Sequence, residues 1–362
     1  MMNIIDYVKD FGKYTFFEKE FNEVDAAVLS AVTYIDFNNI VSDKKNPISL
    51  GAALEFFLSH YDIKKFLKRG IIQKELIKLA KELKLQIRYR NVELYNYVYD
   101  VTFDKQFSAI TMKLPTKEIV VAYEGTDHNL VGWEEDLAMC YKFPVPADTD
   151  AINYLNKTVG FLDGKVYVVG HSKGGHLAMV ASSFCNPLIK YKLKKVYNFD
   201  GPGLRKKEIE SNKFKNMCKK LEHIVPHYSV VGLLLRHGNN TKSIRSTRKD
   251  LLAHSLFTWE VRENSFILEP LSILSKNLDK SIILWLDQHD DNERERIIKD
   301  FFDYLRKSGI ENITEMTKLK NVISLIKNSD ELDKETKDVL GHFIKYNFEY
   351  HLNNRSENLE IK

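Results

Sequence analysis

The fold is decided by residues 166–178, which read VYVVGHSKGGHLA. The first four are β-branched or aromatic, as a parallel strand buried on both faces requires. A G-x-S-x-G motif follows, centred on Ser172, and residues 175–184 are rich in Ala, Leu, Met and Ser, as expected of a helix packed on a sheet. A strand, a tight turn with glycines on both sides of the serine, and a helix follow one another here. This order predicts a nucleophile elbow, with the serine hydroxyl above the sheet edge. The positive end of the helix then faces any anion that forms there.

Length and composition are those of a large globular protein. The chain has 362 residues, of which 44% are hydrophobic and 12% aromatic, enough for one large domain or a core domain with helical additions. The formal net charge is +4, with basic and acidic residues interspersed, so we expect no nucleic-acid partner. Three widely spaced cysteines without a C-x-x-C motif argue against a disulfide scaffold and a zinc site and fit a reducing compartment.

Targeting signals and cofactor motifs are not apparent in the sequence. The first residues lack the basic start and apolar run of a secretory signal, and no stretch approaches the ~20 apolar residues of a membrane-spanning helix. We therefore expect a cytoplasmic protein with no transmembrane segment, of undetermined oligomeric state. Peripheral contact with a membrane surface is compatible with this expectation. We expect no metal and no organic cofactor.

The residue pattern divides the chain into three parts. Residues 1–85 have helical apolar periodicity and are predicted to form a helical segment that packs on the core. Residues 86–269 alternate between strands and helices, which predicts an α/β-hydrolase-like core with a mostly parallel sheet and right-handed crossovers. Residues 270–362 become helical again and are predicted to form a C-terminal helical extension. The predicted strands are 86–90, 97–102, 107–113, 118–123, 165–169, 195–199 and 221–225.

A catalytic serine needs a base and an orienting acid from loops at the carboxyl ends of the strands. In α/β hydrolases the chain order is Ser, acid, His, so the partners are sought after Ser172. Asp200 follows the next predicted strand and is the candidate acid. The alternatives are that it only forms a turn, or that the more distant Asp250 is the acid. His254 is the candidate base, because residues 251–259 surround it with apolar and aromatic side chains; the alternative is a packed core histidine. The weaker rivals for the base are His223, His227 and His237.

The predicted oxyanion hole combines two loops. One donor is the backbone N–H of Lys173, directly after the nucleophile, and the second is Thr126, in the loop after an earlier strand. Such a donor typically contributes ~3–4 kcal/mol of transition-state stabilisation. Trp133 and Leu234 are candidates for the substrate pocket. Leu234 belongs to the apolar segment 232–237, which reads as a lid or pocket wall.

Two histidines near the nucleophile receive non-catalytic interpretations. His171 directly precedes Ser172 on the elbow, so its side chain is expected to point away from the site. His176 lies on the helix after the elbow and is expected to be a packing or rim residue.

Several motifs together resemble the class 3 lipase branch of the α/β hydrolases. Residues 123–126 read YEGT, 133–136 read WEED and 170–178 read GHSKGGHLA. That branch carries a Tyr/Phe-Arg-Gly-Thr/Ser loop, then Trp-x-x-Asp, then a Gly-His-Ser-Leu-Gly-Gly motif. The lysine variant, with SVVG at 229–232 and H-x-x-x-x-W at 254–259, is similar to a bacterial family of unknown function, the Mbeg-like proteins. The resemblance covers roughly residues 22–265 and implies an α/β-hydrolase fold.

The chain departs from the lipase pattern at three places. Glu124 stands where lipases have arginine, Lys173 stands where they have an apolar residue, and residues 229–232 replace the usual acid segment. Ser229 cannot carry a negative charge, so Asp200 supplies the acid if that role has moved to the preceding strand, as in some other lipases.

The motifs and the resemblance together predict a serine hydrolase of the carboxylic ester class. We expect a small-molecule or lipid acyl ester to be cleaved through an acyl-enzyme on Ser172. The alternatives are a non-catalytic binding module on a hydrolase fold, or a thioesterase or amidase with the same triad.

Overall fold

A computed structural model describes residues 2–67, 72–126, 130–238 and 241–307, together with Lys337. Within these residues the chain forms an eight-stranded sheet and a separate two-stranded hairpin. The sheet strands are β1 (Ile48–Ser49), β2 (Glu93–Val101), β3 (Gln106–Lys113), β4 (Ile119–Tyr123), β5 (Val166–His171), β6 (Leu193–Phe199), β7 (Leu221–Pro226) and β8 (Thr241–Ile244), and the hairpin strands are β9 (Val261–Arg262) and β10 (Ser265–Phe266).

The strands lie side by side in the order in which they occur in the chain. β1 to β4 are joined by antiparallel pairing, and β4 to β8 are joined by parallel pairing. Every residue of β4 and β5 is buried, as expected for central strands covered on both faces. The carboxyl ends of β4 to β7 therefore meet at one edge of the sheet, where ligands bind in open α/β folds.

Helices cover both faces of the sheet and continue after its last strand. They are α1 (Ile4–Phe11), α2 (Glu23–Val32), α3 (Leu50–His60), α4 (Ile63–Leu67), α5 (Gln73–Leu83), α6 (Ile87–Arg90), α7 (Leu130–Ala138), α8 (Pro146–Thr158), α9 (Lys173–Phe184), α10 (Pro187–Lys192), α11 (Lys206–Ile209), α12 (Asn212–Cys218), α13 (Ile273–Gln288) and α14 (Asp291–Lys307). No helix among the described residues is both long enough and apolar enough to cross a membrane.

Three apolar clusters hold these layers together. The first joins the N-terminal helices to one face of the sheet, and α2 packs directly on β5. The second joins α8, α9 and α12 to the opposite face. The third, called here the C-terminal cluster, joins α13 and α14 to α7 and to the segment after β7. Its buried members are Leu137, Met139, Val145, Leu235, Ile282, Trp285, Leu286, Ile297, Ile298, Phe301 and Phe302.

The predicted fold class is confirmed, since a mostly parallel sheet is flanked by helices and further helices precede and follow it. The strand predicted at residues 86–90 is wrong, because Ile87–Arg90 forms a helical turn. The alternation of polar and apolar residues suggests a strand with one exposed face. Arg88, a polar residue of that pattern, is instead fully buried, and its guanidinium donates to Asp25 at 2.6 and 2.8 Å.

The three-part division of the chain stays a prediction. Of the predicted C-terminal extension, residues 273–307 contain α13 and α14. Residues 308–362, apart from Lys337, lie outside the described residues.

Candidate active site

Ser172 occupies a strained turn between β5 and α9. Its backbone has φ 58° and ψ −133°, a conformation that costs a non-glycine residue free energy and that is typical of functional sites. Its N–H donates to the carbonyl of Phe199 on β6 at 2.9 Å. A Cβ on Gly170 would overlap the carbonyl oxygen of Gly174, so the close approach of β5 and α9 requires glycine at position 170.

His254 and Asp200 are brought together at the same sheet edge. The distance between His254 Nδ1 and Asp200 Oδ2 is 2.6 Å. Asp200 directly follows β6 and is fully buried. Its other oxygen, Oδ1, accepts from the Ser229 hydroxyl at 2.5 Å and from the Gly232 N–H at 3.1 Å. Because the carboxylate only accepts, Nδ1 of His254 carries the proton and Nε2 is left as the basic nitrogen.

The expectation that His171 points away from the site is wrong. Its ring lies on the ring of His254, with centroids 4.5 Å apart. Nε2 of His171 lies 2.8 Å from the carbonyl oxygen of His254, and Nδ1 lies 2.8 Å from the hydroxyl of Tyr34. Burial, and then the neighbouring His254, hold the pKa of His171 well below its usual value. The neutral ring therefore donates from Nε2 to the carbonyl and accepts from Tyr34.

Tyr34 is a site residue that sequence reasoning missed. It lies two residues after α2, in the N-terminal part of the chain. A Cβ on Gly125 would overlap the hydroxyl oxygen of Tyr34. The Tyr34 hydroxyl therefore lies against the loop after β4. A tyrosine directly after an apolar helix is also an ordinary core residue, so the sequence carries no signal for this placement.

The loop after β4 lies beside the nucleophile. A Cβ built on Gly125 would be 3.0 Å from Cβ of Ser172. The neighbouring Thr126 donates its hydroxyl to Asp136 Oδ2 on α7 at 2.5 Å. This hydroxyl is therefore engaged by Asp136, so the predicted oxyanion role of Thr126 would fall to its backbone N–H. Lys173 is the first residue of α9, where backbone N–H groups have no partner within the helix.

The side chain of Lys173 is buried, which was not foreseen from its position beside the nucleophile. Its Nζ donates to the carbonyl of Gln106 at 3.1 Å and forms an ion pair with Glu135. Oδ1 of Asp136 lies 3.8 Å from the same Nζ. Burial raises the pKa of Asp136 to about 6, against the opposing effects of Lys173 and the Thr126 hydroxyl.

The remaining candidates from the sequence are two predicted pocket residues and the alternative acid Asp250. Trp133 and Leu234, the predicted pocket residues, both pack against the C-terminal cluster. Asp250 pairs with Arg248 at 2.6 Å, whereas Asp200 is the carboxylate bonded to His254.

The described residues contain no group of three or more His, Cys, Asp or Glu side chains placed to hold a metal ion. His176 is buried, with Nε2 3.1 Å from Asp148 Oδ1.

Comparisons with known proteins place the chain in a family. Among curated proteins nothing matches it. Two solved lipase structures resemble it. The M37 lipase is 12% identical, with a TM-score of 0.36 over 73% of this chain and 81% of that one. The Lip2 lipase from Yarrowia lipolytica is 14% identical, with a TM-score of 0.39 over 74% and 89%. The family model described as Mbeg1-like matches residues 83–303, more than half of the sequence, and the chain belongs to the Mbeg1-like family.

Proposed function

We propose that the protein is a serine hydrolase that cleaves carboxylic esters through an acyl-enzyme on Ser172. The observation that carries this proposal is the juxtaposition at one sheet edge. A serine with φ 58° ends β5, and the loops of the following strands supply a histidine and an aspartate joined at 2.6 Å. This is the set of groups that activates a hydroxyl nucleophile.

In the proposed reaction His254 acts first as base and then as acid. Its Nε2 takes the proton of the Ser172 hydroxyl as the oxygen attacks the ester carbonyl. Asp200 stabilises the imidazolium that forms. The backbone N–H groups of Thr126 and Lys173 donate to the tetrahedral oxyanion. The imidazolium then protonates the departing alcohol, and a water molecule, deprotonated by His254, releases the acid from Ser172.

The apolar surroundings favour an acyl ester substrate. Trp133 and Leu234 both pack, partly buried, against the C-terminal cluster, and we propose that they contact the acyl chain. The proposed steps require no cofactor. We propose a cytoplasmic location, because the three cysteines of the sequence are widely spaced and lack a C-x-x-C motif, a pattern that fits a reducing compartment.

Labelling with a fluorophosphonate probe tests the proposal directly, because the probe reacts with activated serines. We expect the wild-type protein to be labelled and Ser172→Ala to be unlabelled while keeping its circular dichroism spectrum. Ester turnover should fall by about 10⁴- to 10⁶-fold. Ser183→Ala is the matched control, since Ser183 lies buried on the same helix and bonds the carbonyl of Met179; it should keep full labelling. An unlabelled wild-type protein, or a labelled Ser172→Ala variant, would contradict the proposal.

A further inference from the structure

Three charged side chains, two buried and one partly buried, lie beside the two proposed oxyanion donors. They are called here the Lys173 cluster and consist of Lys173, Glu135 and Asp136. Their side chains are 1%, 2% and 12% exposed. Removing charges from water costs free energy that a buried ion pair recovers only in part. An apolar side chain of similar size would avoid that cost. The charge at position 173 therefore requires an explanation other than stability.

The first half of the cluster ties three elements to the start of α9. The Lys173 ammonium donates to the carbonyl of Gln106, the first residue of β3, and pairs with Glu135 on α7. Glu135 also accepts from the N–H of Gln106 at 3.2 Å and from the N–H of Ala147 at 2.8 Å. The residue whose backbone N–H is one proposed donor is thus fixed through its own side chain to β3, α7 and α8.

The second half of the cluster reaches the other proposed donor. Asp136 follows Glu135 on α7 and accepts the hydroxyl of Thr126 at 2.5 Å. Its second oxygen faces the Lys173 ammonium at 3.8 Å. Burial favours the protonated form of this carboxyl and raises its pKa to about 6, while Lys173 and Thr126 favour the charged form. Lys173 therefore helps to keep Asp136 in the charged form that accepts the hydroxyl of Thr126. The positive charge of Lys173 also offsets the negative charge of this carboxylate, which would otherwise repel a nearby oxyanion.

We propose that Lys173 is a positioning residue for the oxyanion site, holding the donors at positions 126 and 173 in one geometry through Glu135 and Asp136. The inference rests on the proposed function. It assigns a role to the side chain of Lys173, whereas the proposed reaction uses only the backbone of this residue.

The test uses a ligand that creates the oxyanion. A trifluoromethyl ketone analogue of an ester accepts the Ser172 oxygen at its carbonyl carbon, the carbonyl electrons become an oxyanion, and the proton moves to His254. Its inhibition constant reports the oxyanion site and does not depend on the fraction of folded enzyme. A variant that is merely unstable would lose active enzyme without changing that constant, so the measurement separates positioning from stability.

The principal variant is Lys173→Met with Glu135→Gln, which removes both charges of the ion pair and keeps similar side-chain volumes. We expect the inhibition constant to rise by roughly 10- to 100-fold, as for a displaced catalytic donor, and kcat to fall in parallel with KM almost unchanged. Lys242→Met is the matched control. Lys242 lies on β8, three strands from β5, and pairs with both carboxylate oxygens of Glu23 at 2.6 and 2.7 Å. The loss of this ion pair should leave the inhibition constant unchanged.

Each outcome decides the proposal. An unchanged inhibition constant in the folded double variant would overturn it. If that variant does not fold, Lys173→Gln, which keeps a donor for Gln106 and Glu135 but no charge, should give the same direction of change. Failure of both variants to fold, while Lys242→Met folds, would assign Lys173 to core stability alone. A wild-type protein without fluorophosphonate labelling would refute the proposed function itself. A labelled wild type with unaffected variants would refute only the inference about Lys173.

Discussion

The carboxyl group of Asp200 makes hydrogen bonds to three other residues at the site. One of its oxygens holds His254, and the other is held by Ser229 and Gly232. This explains the departure at residues 229–232. The segment after β7 supplies a hydroxyl and an N–H that hold the carboxyl group of Asp200, the candidate acid after β6.

We expect Asp200→Asn to lower the rate of fluorophosphonate labelling by about 10³- to 10⁴-fold. An amide can donate to Nδ1 of His254, which would place the imidazole proton on Nε2 and remove the base. Asp250→Asn is the control, because Asp250 bonds Arg248. A labelling rate within a few-fold of wild type for Asp200→Asn would exclude Asp200 as the acid.

Thr126→Val should lower kcat by about 10-fold with little change in KM, since a lost brace on an oxyanion donor affects the transition state more than substrate binding. Steady-state hydrolysis of a chromogenic ester provides the measurement. Thr102→Val removes the same kind of hydrogen bond, from Thr102 to Asp104 at 2.8 Å on an exposed turn, and should change neither constant. Equal effects of the two substitutions would argue against the brace.

At the residue scale the sequence was informative where chain order and local setting restrict the choice. The glycine context of Ser172 predicts the elbow, and the chain order Ser, acid, His favours Asp200 and His254 as its partners. The side chain of Lys173 was not foreseen, because its burial depends on Glu135, 38 residues away in the chain. The catalytic roles of all these residues stay predictions until activity is measured.

At the scale of elements, β7 and the segment after it bring together a second pair of histidines. His223 on β7 and His237 in the following segment stack with ring centroids 4.3 Å apart and an interplanar angle of 9°. Burial, and then the neighbouring His237, hold the pKa of His223 well below its usual value. Burial lowers the pKa of His237 to about 4. Both rings are therefore neutral in the folded protein near pH 7.

This pair predicts a loss of stability in mild acid. Since the pKa values are lower in the folded protein, the unfolded chain takes up protons first, and the free energy of unfolding falls as the pH drops from about 6.5 towards 4. For His237 alone we expect a loss of about 1–2 kcal/mol at pH 5. Denaturant titrations at pH 7 and 5 measure it. His237→Gln should flatten the pH dependence, and His60→Gln, at an exposed site on α3, should not.

Elements were predictable from sequence where burial is uniform. β4, β5 and β6 are rich in β-branched and aromatic residues because helices cover both of their faces, and all three were predicted nearly to their ends. β1 and β8 were missed, because two and four residues at the sheet edges are too short to show a period. The helical turn Ile87–Arg90 was mistaken for a strand, since a buried arginine and an exposed one look alike in a pattern.

At the scale of the whole molecule, α13 and α14 pack against α7 and against the segment that follows β7. The C-terminal cluster joins them to α7 and to Leu235, and ion pairs link Asp287 to Arg236 and Asp291 to Arg205. Exposed pairs of this kind contribute little to stability, so the apolar contacts should dominate the attachment of these helices.

Trp285→Ala should lower the free energy of unfolding by about 3–5 kcal/mol, as typical for truncating a buried tryptophan. Trp285 is 4% exposed within the C-terminal cluster, whereas its neighbour Leu284 is 54% exposed. Leu284→Ala is therefore the matched control and should change stability by less than about 1 kcal/mol. Chemical denaturation of both variants measures the difference. Equal stabilities would mean that α13 is not anchored through Trp285.

The agreement between strand order and chain order has a consequence for biosynthesis. Each new strand pairs with the one made just before it, so the sheet can be extended from one side as the ribosome delivers the chain. Contacts between neighbouring segments cost little loop-closure entropy. The proposed nucleophile emerges with β5, the proposed acid after β6 and the proposed base only after β8. Until then, Ser172 of a nascent chain would lack its proposed base. The onset of fluorophosphonate labelling would therefore mark the moment at which β8 and the segment after it have docked.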